Sequence, residues 1–142
     1  MRVAYQAGTR GWVLFPAAIV VLSGLAAGCS SSKPAYCTDA TNLKTSVSNL
    51  GNVDVAKNGL SSLQTALTSV QTSASAFAAD AKSAFGSQTT ALQNSVSALG
   101  AAITSAKGQP PATAVTTVVP AVTQVKTSAS ALQSAVSSAG KC

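Results

Sequence analysis

The chain has 142 residues, 46% hydrophobic and only 8% charged, with nine Lys and Arg, three acids and no His. Triads, general acid–base pairs and zinc or di-iron centres draw on His or clustered carboxylates, so the composition argues against an enzyme and predicts no catalytic residue, metal or cofactor. The lysines stand singly with no aromatic residues interleaved, which argues against a nucleic-acid surface.

Residues 1–10 carry Arg2 and Arg10 and no acid, and residues 12–25 are apolar except for Pro16, Ser23 and Gly24. A basic start, an apolar run and a small-residue exit are the order of a secretory signal. The run closes on Leu25-Ala26-Ala27-Gly28-Cys29, a pentapeptide that resembles the lipobox of bacterial lipoproteins, although Ala26 stands where that family most often has Leu. The resemblance implies cleavage between Gly28 and Cys29, a diacylglyceryl group on Cys29, and anchoring to the extracytoplasmic face of the cell membrane. Residues 1–28 are then the signal, 29–37 the lipidated cysteine with a polar tether, and 38–142 the domain. A run of roughly 14 apolar residues is short beside the about 20 that a membrane-spanning helix needs. An ordinary cleaved signal and an uncleaved membrane helix stay open as alternatives. With the signal removed, seven lysines face three aspartates, a net charge of +4 on about 114 residues, a length suited to one domain.

Beyond the tether the apolar residues recur in steps of three and four, which places them on one stripe of a helix rather than on a strand of period two. The first run is Ala40, Leu43, Val47 and Leu50. The second reads Val53, Ala56, Leu60, Leu63, Leu67, Val70, Ala74, Phe77 and Ala81. The third is Leu92, Val96, Leu99 and Ile103, and the fourth runs from Val115 through Val118, Val122, Val125, Ala129 and Leu132 to Val136. Thr38 or Asp39, Asn52 or Asp54, and Ser87 are placed to cap helix starts. Gly51, Gly86, Gly108 and Gly140 follow the runs, where a left-handed cap favours glycine. Gln109-Pro110-Pro111 breaks the chain before the last run, while Pro120 either bends that helix or marks a start near Thr117. Gly59 raises a milder question in the second helix. The expected fold is all-α: an antiparallel up-down four-helix bundle with a short first helix, after a cleaved signal.

With Cys29 acylated, Cys37 and Cys142 remain, and in an oxidising compartment they are expected to pair. A disulfide needs Cα atoms within about 7 Å, whereas a 20-residue helix spans about 30 Å. An even number of antiparallel helices brings the two cysteines to one end, in agreement with four runs.

The expected role is a non-enzymatic structural or interaction module of the cell envelope, anchored to the membrane through Cys29, with envelope proteins as partners. The chain is similar to small Ala/Ser/Thr-rich lipoproteins of actinobacteria over residues 49–67, a resemblance that brings no functional residues. Lipoproteins that attach to peptidoglycan do so through a C-terminal lysine; here Lys141 is followed by Cys142, a departure from that pattern. The alternative is a lipid or other apolar ligand held between the helices near Phe77 and Phe85.

Overall fold

The computed structural model describes residues 33–142, so Gly28, Cys29 and the whole signal lie outside the described residues. Three helices form: α1 (Ala35–Gly51), α2 (Val55–Ala106) and α3 (Pro111–Ser138), each packed on the other two, with no strand among the described residues. The stripes read from the sequence are the core. Leu43, Val47 and Leu50 of α1, Leu63 through Ile103 of α2, and Val118, Val125, Leu132 and Val136 of α3 join one buried cluster. Ala56 is exposed and Leu60 only half-buried, so the second stripe begins later than its spacing suggests.

Three helical elements form where four runs are read, because the second and third runs join directly across a kink. α2 is 52 residues long and, if straight, would extend about 78 Å. Instead it folds back on itself: a Cβ on Gly100 would lie 3.7 Å from Leu67 Cδ2. The fold-back is at Phe85, which leaves the helical region with φ −132° and ψ 35°. Helical hydrogen bonding resumes at once, so no loop intervenes where Gly86 and Ser87 predict one. Gly86 has no left-handed φ, and the Ser87 hydroxyl donates to Gln88 Oε1 at 2.9 Å instead of accepting from a backbone N–H. The buried Thr89 hydroxyl holds the bend by donating to the Phe85 carbonyl at 2.8 Å.

Other boundaries also differ from expectation. α1 starts at Ala35, inside the expected tether, behind Pro34 and without a side-chain cap. Thr38 and Asp39 are therefore helix interior: the chain enters α1 from an extended Pro34, φ −53° and ψ 146°, whose carbonyl accepts the first helical hydrogen bond from Cys37 N–H. Asp54 does cap α2, accepting from the Lys57 backbone N–H at 3.1 Å. Gly59 is a full break, with φ 73° and ψ 175°, a conformation open only to glycine. α3 starts at Pro111 and runs through Pro120. Proline suits the first helical turn, and Pro120 lies on the exposed face, where water reaches the Thr116 carbonyl it leaves unpaired. Gly108 and Gly140 adopt φ 83° and 63°, the left-handed conformation expected of helix-terminating glycines.

The folded helices expose an internal repeat. Residues 43–51 (LKTSVSNLG) recur as 92–100 (LQNSVSALG), and residues 70–76 (VQTSASA) recur as 125–131 (VKTSASA). Thus α1 corresponds to the second arm of α2, and the first arm of α2 to α3. Burial follows the correspondence: Leu43 and Leu92, Leu50 and Leu99, Val70 and Val125, and Phe77 and Leu132 are all essentially inaccessible. Residues 31–142 form one unit that contains the entire described core.

Candidate functional site

Two regions concentrate the chemistry that the chain possesses. The first is the end of the bundle where α1 begins and α3 finishes. Cys37 lies in the first turn of α1, its N–H bonded to the Pro34 carbonyl at 2.9 Å. Gly140 turns the chain out of α3 with a left-handed φ, which delivers Cys142 to Cys37. The two form a disulfide with Cα atoms 5.5 Å apart.

Beneath it lie three rings. Tyr36 meets Phe85 edge-on at 5.4 Å between centroids and Phe77 at 6.4 Å, while Phe77 and Phe85 are 6.0 Å apart. Such edge-on and tilted contacts add about 0.5–1.5 kcal/mol per pair to area burial. Phe77 is fully buried, so the rings fill the space in which the sequence places an apolar ligand.

Asp39 of α1 and Asp80 of α2 meet at the same end. Desolvation raises the Asp39 pKa above its ordinary value of 3.8, and a hydrogen bond to the Asp80 carboxyl and repulsion from its charge raise it further. Two acids that share a hydrogen bond retain a proton more readily than either alone. No three His, Cys, Asp or Glu side chains converge as a metal site among the described residues. No described helix is long and apolar enough to cross a membrane.

The second region is a pair of grooves at corresponding places in the repeat. One runs between the arms of α2, has a volume of about 320 Å³, and is bordered by Gln64, Leu67, Thr68, Gln71, Gly100 and Lys107 among others. The other runs between α1 and α3, holds about 200 Å³, and is bordered by Gly51, Val53, Val55, Val119, Val122, Thr123 and Lys126 among others. Gly51 and Gly100 are counterparts, and each lets the facing side chain lie close. A Cβ on Gly51 would stand 3.3 Å from Lys126 Cδ. A larger cleft, about 460 Å³, opens beside the Gly59 break and Pro111.

Of the residues singled out from the sequence, the structure brings Cys37 and Cys142 together, and Phe77 with Phe85. Cys29 and Gly28 are outside the described residues. The carboxylate pair and the α1–α3 groove were not foreseen. The repeated strings LxxSVSxLG and VxTSASA carried the signal for the groove, since aligning them sets Val119 against Gln64. Comparison of the chain with protein-family models, curated proteins and solved structures gives no match.

Proposed function

We propose that the chain is an extracytoplasmic lipoprotein, cut between Gly28 and Cys29 and diacylated at Cys29, that presents a non-enzymatic helical domain as a structural or interaction module of the cell envelope. The observation that carries this reading is the order of residues 1–29: two arginines, an apolar run, then Ala-Ala-Gly-Cys. The disulfide between Cys37 and Cys142 supports it twice. Stable disulfides belong to oxidising compartments, and the pairing leaves Cys29 as the remaining thiol of the chain. Two acyl chains give firm attachment, at about 0.8 kcal/mol per buried methylene.

With the arms of α2 counted separately, the fold reads as an antiparallel up-down four-helix bundle. The even number of passes returns the chain to the end where it starts. Eight residues separate Cys29 from Cys37, at most about 28 Å of extended chain, so the disulfide end of the domain faces the bilayer in this reading. The alternative of an apolar ligand between the helices at Phe77 and Phe85 requires displacing rings that already touch one another.

The test is detergent phase partitioning of the expressed protein together with intact-mass measurement. Wild type is expected in the detergent phase with added diacylglyceryl mass, and Cys29→Ala in the aqueous phase or retained as uncut precursor without that mass. A Cys29→Ala protein that is cut and still partitions with detergent overturns the anchor.

A further inference from the structure

The two corresponding grooves differ in chemistry at the positions that face solvent. Between the arms of α2 the groove presents Gln64, Thr68 and Gln71, with Lys107 also on its border; between α1 and α3 the counterparts of the first three are Val119, Thr123 and Lys126. Val119 is 51% exposed, the one large hydrophobic side chain so exposed among the described residues. It contributes little to the core, because its neighbour Val118 already fills that place at 1% exposure. Val53 of the α1–α2 connection and Val55 at the start of α2, both half-buried, extend the apolar wall. Lys126 is the single charged side chain on this groove, and Gly51 gives its stem room to lie across the groove's end.

We propose that the α1–α3 groove is a binding site for a single-chain anionic amphiphile, a free fatty acid, with the chain along Val53, Val55, Val119 and Val122 and the carboxylate paired with Lys126. The dimensions favour this occupant. From Val119 to Lys126 the groove follows about 10 Å of helix, and a partner helix about 10 Å across does not enter a volume of about 200 Å³. One alkyl chain does. A lone cation on a groove whose wall is mainly valine selects a carboxylate over a neutral or cationic head, since an opposite charge there is favoured and a like charge is not. The groove between the arms of α2, which has Gln64 in place of Val119 and its own lysine, Lys107, is an internal comparison for the valine wall.

The proposal is independent of acylation at Cys29, and its test uses residues 31–142, the unit that contains the described core and the disulfide. Decanoate, and separately decyltrimethylammonium, are titrated below their micelle-forming concentrations into the ¹⁵N-labelled unit while amide shifts are followed. Saturable shifts are expected at Gly51, Val119 and Val122, with decanoate bound more tightly than the cationic probe. Val119→Gln, which installs the residue of the other repeat, is expected to weaken decanoate at least tenfold, and Val119→Ser does the same if the glutamine variant fails to fold. Lys126→Gln is expected to abolish the preference for decanoate. Absence of saturable shifts, equal shifts at Gly100 and Leu67, or wild-type affinity in the valine variants overturns the site. Shifts at Val119 that depend on protein concentration without any amphiphile also overturn it and assign the groove to a second copy of the chain.

Discussion

Gly59 and Gly86 look alike in the sequence, each a glycine near a helical run, yet the backbone treats them differently. Gly59 sits at φ 73° with open space around it, and Gly86 has neither a positive φ nor a close neighbour. Gly59→Ala is therefore expected to destabilise by about 1–3 kcal/mol through backbone strain. Gly86→Ala should be neutral or stabilising by up to about 1 kcal/mol, because the unfolded chain loses freedom. Urea denaturation of the two variants checks the contrast. Asp39 titrates in the opposite sense to a salt-bridged acid: its pKa is raised in the fold by desolvation, by the hydrogen bond to Asp80 and by its charge. Its contribution to stability is thus present below pH 3.8 and lost as pH rises through the raised value. Asp39→Asn should flatten that part of the pH–stability curve and raise the neutral-pH Tm by on the order of a degree, a small effect because the site is half in water. Thermal melts between pH 3 and 7 read both changes, and an undiminished slope in the variant refutes the assignment.

At the scale of elements, spacing made the buried stripes legible, because steps of three and four say which face is apolar regardless of neighbours. Helix ends were less legible. Pro34 and Pro110 precede α1 and α3 where side-chain caps were expected for α1, and the stripe from Leu63 to Ile103 lies on two arms joined directly at the Phe85 kink. The sequence marks this break within one residue, at Gly86 and Ser87, but neither acts as expected: the two arms meet across Phe85 itself, and the Thr89 hydroxyl donates to the Phe85 carbonyl. Pro120 shows the same principle with the opposite outcome, since a helix of 28 residues packed along its length tolerates one missing hydrogen bond on its wet face. Pro120→Ala restores a donor to the Thr116 carbonyl, and helix propensity predicts a gain of about 1–3 kcal/mol. A fall in the urea midpoint for this variant would show that proline serves the packing of α3 in some other way.

For the whole molecule, the disulfide closes a loop with a sequence separation of 105 residues, for which the chain-entropy model gives about 4.7 kcal/mol. Denaturation with and without reductant is expected to differ by several kcal/mol, while the helical circular dichroism of the reduced protein persists under native conditions because the core of α1, α2 and α3 is intact without it. Loss of helix on reduction alone would place more of the stability in the bridge than that model allows. The all-helical class, the apolar faces, and the meeting of Cys37 with Cys142 followed from the sequence by itself, since each depends on local periodicity or on the parity of helical passes. Only the tertiary structure decided that the second and third runs join directly at a kink at Phe85, that Asp39 meets Asp80, and that one repeated groove has Val119 and Lys126 where the other has Gln64 and Gln71. Those features arise between segments distant in the chain, where packing and desolvation act and no local pattern records the contact.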